Sequence, residues 1–359
     1  MLSPEARSAI ASLPVREGGV RLMEVCGTHT MSIARAGIRQ MLPEGAELLS
    51  GPGCPVCVTH QGSIDAFLEL SMQKGVTIAT YGDMIRVPGS HRGDNLARRR
   101  ALGANIQVVY SPVDAVDYAE AHPETEVVFL GVGFETTAPG TAAAILNAAE
   151  RGIKNFSVYS LLKRVEPALR ALVAMEDFHV DGFLCPGHVA TIIGAEGFRY
   201  LPEELGIPAV VAGFEAEDIL TALVHLLRQT FAGEAKLENE YRRAVRQEGN
   251  RAAMAMIDAT LEPRDTLWRG LGLIPQSGYG FKSEFAAFDA EKKFSIVPGE
   301  NDAVPGCKCG DIMKGALHPH QCPLFGKLCT PEDPVGPCMV SSEGACAAAW
   351  KYRTFDAFD

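Results

Sequence analysis

LLSGPGCPVCVTHQGSI, Leu48 to Ile64, and FLCPGHVATIIGAEGF, Phe183 to Phe198, carry the decisive pattern of this chain. Each runs as a short apolar stretch, a Pro-Gly turn and a helix start. Downstream, IATYGDMI (Ile78 to Ile85) is echoed by VVAGFEAEDIL (Val210 to Leu220). Strand, Gly/Pro turn and helix make the unit of a parallel α/β sheet, whose ligands bind beyond the carboxyl ends of the strands. The internal likeness predicts two similar α/β units facing each other, with both Pro-Gly loops at one cleft.

The flanking sequence extends the pattern over roughly residues 19 to 260. Apolar runs of strand length fall at Arg21–Val25, Glu47–Ser50, Val76–Thr80, Gln107–Tyr110, Val127–Gly131, Ser157–Ser160, Gly182–Cys185 and Ala209–Ala212. Amphipathic stretches such as Ser63–Gln73, Asp114–His122 and Thr141–Arg151 separate them, as α/β alternation requires. The apolar stripe Ile219, Leu220, Leu223, Val224, Leu226 and Leu227 followed by the charged KLENEYRRAVRQEGNR predicts two helices packed on a surface. Beyond these, LIPQSGYGF and VPGENDAVPG read as turn-rich, and the tail has no strong periodicity.

A chain of 359 residues with 47% hydrophobic content is long enough for two or three domains. Its formal net charge of -11 argues against nucleic acid or an anionic membrane as the main partner, since both require basic patches. MLSPEARSAIASLPVREGG has neither a basic n-region nor an apolar h-region, and no later run approaches the ~18 apolar residues of a membrane span. The expectation is a cytoplasmic protein, and in a reducing compartment clustered thiols bind metal rather than pair.

Four motifs hold the candidate chemistry. EVCGTHT (Glu24 to Thr30) puts Cys26 at a strand end and a helix start, where free N–H groups and the helix dipole favour a thiolate. Gly27 permits close approach, and His29 could donate from behind a metal or carry a proton; alternatively Thr28 or Thr30 caps the helix and Cys26 packs as a small hydrophobe. GPGCPVC (Gly51 to Cys57) holds Cys54 and Cys57 at C-x-x-C spacing, fit to close a disulfide or to share one metal. GFETTAPG (Gly133 to Gly140) offers Glu135 as cation partner or proton acceptor and Thr136 and Thr137 as hydrogen-bonding groups. CPGHVATIIG (Cys185 to Gly194) places His188 where Cys54 stands in the other half.

The tail carries Cys307, Cys309, Cys322, Cys329, Cys338 and Cys346. The spacing Cys309-x12-Cys322-x6-Cys329-x16-Cys346 can supply four thiolates to one centre, but spacing alone does not choose four of six. The paired short knuckles usual for structural zinc are missing, and a cubane iron–sulfur cluster tolerates scattered thiolates better. Zinc is the competing reading.

MEVCGTHT, GPGCPVCVT, GFETTAPG, CPGHVATIIG and CPLFGKLCTP…GPCMVSSEGACAA span almost the whole chain and together resemble the hydrogenase formation protein family HypD, which matures [NiFe] hydrogenases. The resemblance implies that Cys309, Cys322, Cys329 and Cys346 hold a [4Fe-4S] cluster. It implies that Cys26 anchors the iron on which the Fe(CN)2CO group is assembled, in complex with the chaperone HypC, with cyanide arriving from HypE and the product passing to the hydrogenase large subunit. Cys54 and Cys57 would take part in redox or iron chemistry, and a polar cleft of His29, His188, Thr28 and Glu135 would hydrogen-bond the cyanide nitrogens. The family fold is two similar α/β domains facing a cleft plus a third, cysteine-rich domain from both termini around the cluster. On this chain that sets the expected parts at residues 1–40 and 261–359 for the cluster domain, 41–135 for the first α/β domain and 136–260 for the second. Two other readings stand beside it: an iron–sulfur dithiol oxidoreductase that reduces a partner's disulfide, and a zinc-stabilised binding protein.

Overall fold

The computed structural model describes residues 8, 10–301 and 304–352. Nine strands form two parallel sheets: β1 (Val20–Glu24), β2 (Ala46–Ser50), β3 (Val76–Thr80), β4 (Asn105–Val108), β5 (Glu126–Gly133), β6 (Phe156–Leu162), β7 (Gly182–Pro186), β8 (Ala209–Ala212) and β9 (Leu237–Asn239). The first sheet has the order β2-β1-β7-β8-β9 and the second β4-β3-β5-β6. All eight strand-length runs and the three helical stretches quoted above are present, with ends moved by up to a few residues. Helix Pro112–Ala121 shows why the boundaries are readable: Ser111 caps it in a capping box with Asp114, and Pro112 fills a first-turn position whose N–H needs no partner.

Sheet membership divides the chain otherwise than at residues 40, 135 and 260. β1 lies inside the first sheet, between β2 and β7, with Leu22 in register with Leu48 on one side and with Gly182 on the other. The chain lays down β1 and β2, leaves to build the whole second sheet, and returns to β1's free edge at β7. The two Pro-Gly segments therefore do not belong to two facing units, because β2 and β7 flank one common strand. The physical reason is burial: β1 is nearly all buried, and such a strand is stable only when paired on both edges and covered on both faces.

Two further expectations are corrected. KLENEYRRAVRQEGNR forms no second helix; Leu237 pairs with Ala209 and the chain turns until helix Arg251–Thr260. Glu238 is drawn to His225 and Gln229 of helix Ala216–Ala232, which fixes β9 as an edge strand. LIPQSGYGF is not a loop but part of β11 (Gly272–Phe281), antiparallel to β10 (Leu261–Trp268). Its proline and two glycines hid the strand.

Apolar side chains fill three regions. Ile33, Ile38, Leu220 and Leu223 cover one face of the first sheet, and Phe129, Ile145, Phe156 and Phe281 one face of the second. A third core, with Met23, Leu49, Val128, Leu130 and Trp268, continues to Ile312, Met313, Cys309 and Cys346 of the tail. Among the described residues no helix is long and apolar enough to cross a membrane.

Candidate metal site

Carboxyl ends of both sheets open on one cleft of about 700 Å³. From the first sheet come Val25 and Cys26 after β1, Gly53 and Pro55 after β2, and His188 after β7; from the second come Tyr81 to Met84, Phe134, Thr136 and Thr137. Ser342 and Glu343 of the tail close its edge. Cys26 thus stands on the middle one of three adjacent strands.

Its setting is built by two glycines. A Cβ on Gly53 would lie 2.2 Å from the Cys26 nitrogen, so only glycine lets the loop after β2 rest on the Cys26 backbone. Gly27 donates its N–H to the Gly53 carbonyl at 2.9 Å. A Cβ on Gly27 would lie 2.3 Å from Cβ of Glu343, whose carboxyl accepts from Thr28 Oγ1 at 2.9 Å. Beneath them the buried Glu24 accepts the Cys26 N–H at 3.0 Å and the Thr30 hydroxyl at 2.5 Å, and its burial raises its pKa to about 7. Glu24 and Glu343 carry no role in the sequence reading, although both lie in quoted motifs.

Cys26 caps helix Gly27–Ala36 with extended backbone, as its motif predicts, yet it is not a thiolate. Burial pushes its thiol up to about 12, and the nearby Glu343 and Glu24 carboxylates push the same way, outweighing the backbone N–H groups of His29 and Thr28. Desolvation exceeds the helix-start effect here. A cation at this sulfur would have to displace a proton.

Cys54 and Cys57 are joined as a disulfide with Cα atoms 5.2 Å apart. Cys54 precedes helix Pro55–Val58 and accepts the Cys57 N–H at 3.1 Å. Ser341 Oγ lies 3.3 Å away on its other side. Both sulfurs are buried behind the cleft wall rather than in it.

The remaining candidates separate. His188 lines the cleft with its ring stacked on Phe214 at 3.8 Å, and partial burial lowers its pKa. His29 lies outside the cleft lining. Its Nε2 is 2.9 Å from the Gly213 carbonyl, which fixes the proton there, and burial lowers its pKa to about 4. Phe134, Thr136 and Thr137 line the cleft, but Glu135 between Phe134 and Thr136 faces away and accepts the Val165 N–H at 2.9 Å, at the start of helix Val165–Val173. Glu135 is therefore a helix cap, not a cleft group. Cys185 is wholly buried in β7 and packs as a hydrophobe.

Burial raises the Glu135 pKa from 4.5 to about 7. A carboxyl raised on folding favours the folded state at low pH, and that advantage fades as pH climbs from about 4.5 to about 7. Urea unfolding at pH 5 and pH 8 is expected to show wild type losing about 2–3 kcal/mol relative to Glu135→Gln across that window. Parallel profiles for the two proteins would contradict the buried carboxyl.

In the tail, Cys307, Cys309, Cys322, Cys329 and Cys346 line one small cavity. Cys338 sits behind it, in contact with Cys309 and Cys346. The four cysteines that the family resemblance implies are thus brought together, and Cys307 joins them, its sulfur 3.2 Å from that of Cys309. Gly336 leaves room for both, since a Cβ there would lie 2.7 Å from each sulfur. A tetrahedral zinc ion, with bonds near 2.3 Å, needs its sulfurs within about 4 Å of one another. Among the described residues the compact ligand group of that kind is His225, Glu238 and Glu240, not three cysteines. No three of the tail sulfurs come that close together among the described residues, and this spacing with the apolar Ile312, Leu324, Phe325 and Met339 around it suits a larger cluster held by four of these thiols.

The two thiol systems adjoin. Helix Cys309–Met313 and the turn Pro337–Met339 pack against helix Pro55–Val58. The wholly buried Arg269 spans the junction, bonding to the Val58 and Thr59 carbonyls while its charge favours the Cys307 and Cys309 thiolates.

A family model named HypD, described as the hydrogenase formation hypA family, matches residues 3–353. The chain is 42% identical over 361 residues to hydrogenase maturation factor HypD of Rhizobium leguminosarum bv. viciae, covering 99% of this chain and 94% of that one. It is 43% identical over 338 residues to hydrogenase maturation factor HypD of Escherichia coli strain K12, with 94% and 90% covered. Hydrogenase expression/formation protein HupD of Azotobacter chroococcum mcd 1 is 44% identical over 353 residues, with 97% and 92% covered.

Proposed function

The chain belongs to the HypD family of hydrogenase maturation factors, and from that premise we propose that it is the scaffold on which the Fe(CN)2CO group is assembled before transfer to the large subunit of a [NiFe] hydrogenase. One observation carries the reading: a lone thiol, Cys26, stands on the middle of three strand ends in a cleft with hydrogen-bonding groups around it. Low-spin Fe(II) bearing cyanide and carbonyl is soft and suits a thiolate. Binding forms a Cys26 Sγ–Fe bond and releases the thiol proton, for which the adjacent Glu343 carboxylate, its pKa raised by burial, is a ready acceptor. His188 and Thr136 line the cleft and would donate to cyanide nitrogens, whereas the hydroxyls of Thr28 and Thr137 are donated to Glu343 and to the Phe134 carbonyl and, with His29 and Glu135, support the walls.

A HypC-type chaperone would dock over the cleft mouth, and a HypE-type donor would bring the cyanide, all in the cytoplasm. The tail, packed on helix Gly27–Ala36 through helix Ala345–Tyr352, would be the third unit of the fold, with Cys309, Cys322, Cys329 and Cys346 holding a [4Fe-4S] cluster. Cys307 is the competing donor to Cys309, because sulfurs 3.2 Å apart cannot serve two separate irons. Bound there, the cluster would supply single electrons next to the Cys54–Cys57 disulfide, which takes up two electrons and two protons to become two thiols. A free-standing oxidoreductase fits less well: Cys54 and Cys57 are 5% and 1% exposed, out of reach of a partner's disulfide.

The test is an infrared spectrum of protein purified anaerobically from cells that contain its maturation partners. Bands of metal-bound cyanide and carbonyl are expected, and they should survive Cys338→Ala. Cys322→Ala, Cys329→Ala and Cys346→Ala should each lose the cluster's iron and sulfide, as should one variant, not both, of Cys307→Ala and Cys309→Ala. Cluster-replete protein without either set of bands would overturn the scaffold reading.

A further inference from the structure

The two histidines of EVCGTHT and CPGHVATIIG are held by one turn that neither motif contains. Phe214, just beyond β8, has its ring between theirs: the His188 ring stacks on it at 3.8 Å and 26°, and the His29 ring lies 4.7 Å away at 31°. The residue before it, Gly213, takes the His29 Nε2–H on its carbonyl at 2.9 Å. This turn is itself clamped. Tyr241 meets the edge of Phe214 at 5.9 Å, Arg243 lies over Tyr241 at 4.6 Å, and Arg243 pairs with Asp218 at the start of helix Ala216–Ala232. A Cβ on Gly213 would lie 2.2 Å from an Asp218 oxygen, and one on Gly187 would lie 2.3 Å from the Ala212 carbonyl, so the β7 and β8 turns interlock.

We propose that Phe214 is a positioning residue of the cleft: its ring is the platform that holds the His188 imidazole in one orientation at the site where cargo is bound. His188 is half-exposed and no side-chain hydrogen bond orients it among the described residues, so without the platform it would turn freely. The aromatic face also shields one side of the ring from water, which keeps the imidazole neutral and able to donate a hydrogen bond rather than carry charge. Asp218, the carboxylate that reaches His29, is paired with Arg243, and His29 is neutral; Glu215 follows Phe214 directly, and Asp83 and Glu343 line the same cleft. The inference rests on the scaffold reading only for what His188 meets; the stacking itself belongs to the protein without cargo.

Two measurements test it. In the cargo-free protein, with its resonance assigned by loss in His188→Gln, His188 is expected to titrate below the ordinary histidine value. In Phe214→Ala it should rise to about 6.5, whereas Phe214→Tyr should stay as wild type. In cells that depend on this protein for hydrogenase activity, Phe214→Ala is expected to lose roughly 10-fold, in the range of losses of residues that orient a metal's surroundings, with Phe214→Tyr restoring it. Phe214→Ala combined with His188→Ala should be no worse than His188→Ala alone, because the two act as one unit. If Phe214→Ala does not fold, Phe214→Leu, which keeps the volume and removes the ring face, takes its place with the same expectation. An unmoved His188 titration, or losses that multiply in the double variant, would overturn the proposal. A moved titration with full hydrogenase activity would leave the platform standing and count against the scaffold's use of His188.

Discussion

Cys26→Ser is expected to remove the cyanide and carbonyl infrared bands and to reduce hydrogenase maturation by more than the roughly 10–100-fold that loss of an outer-shell partner costs a metal site. Serine is nearly isosteric, and its oxygen can accept the His29 and Thr28 N–H groups that now face the sulfur. The fold should therefore hold to within about 1 kcal/mol in urea unfolding. Iron and sulfide bound by the tail cysteines should not change, since those thiols form a separate cavity. A hard hydroxyl is a poor ligand for soft iron. Full maturation by Cys26→Ser, combined with its loss in Cys54→Ala, would move the function from scaffold to dithiol oxidoreductase.

Gly53→Ala is expected to have the second largest effect, although it adds one methyl group and touches no sulfur. The new carbon would lie 2.2 Å from the Cys26 nitrogen and 2.3 Å from the Val25 carbonyl carbon. Both are backbone atoms held between the end of the doubly paired β1 and the start of helix Gly27–Ala36, so neither can rotate away. The loop after β2 must lift, breaking the Gly27 N–H bond to the Gly53 carbonyl. Overpacking of this kind costs about 1–3 kcal/mol. A shift of about 1 Å at a reacting group can cost on the order of 10²-fold in rate. Maturation should fall by that order, with no change in iron bound at the tail cysteines. Gly299→Ala, where an added Cβ meets nothing within 4 Å, should change stability by no more than about 0.5 kcal/mol. Equal behaviour of the two alanine variants would show that the Gly53 contact does not constrain Cys26.

Much of this was legible in the chain. Apolar runs bounded by glycine and proline located eight strands, and the position of Cys26 between strand and helix followed from EVCGTHT. What sequence could not convey was which strands become neighbours. β7 reaches β1 across more than a hundred residues, and parallel pairing leaves no local mark, so two similar segments were read as separate units. Directions of side chains were equally hidden. Glu135 and Thr136 are adjacent, yet one caps a helix and the other lines the cleft, a choice made by where helix Val165–Val173 begins. The protonation of Cys26 has a similar non-local origin. A helix start is local and visible, whereas burial under Glu343 comes from the far end of the chain. Residue type does not set Ser341, Glu343 or Phe214 apart from the other serines, carboxylates and aromatics of the chain; only the fold brings them to the site.

The insertion of the second sheet between β2 and β7 also bears on how the protein is made. β1 and β2 emerge from the ribosome close together, but β7 follows β2 by about 130 residues. At ~5–20 residues per second that is a wait of roughly 7–26 s, long enough for the inserted sheet to form first. Ser342 and Glu343, which close the cleft edge, follow β7 by about 155 residues more. Nascent chains paused short of them leave Cys26 without the Glu343 carboxyl that stands beside it in the folded protein.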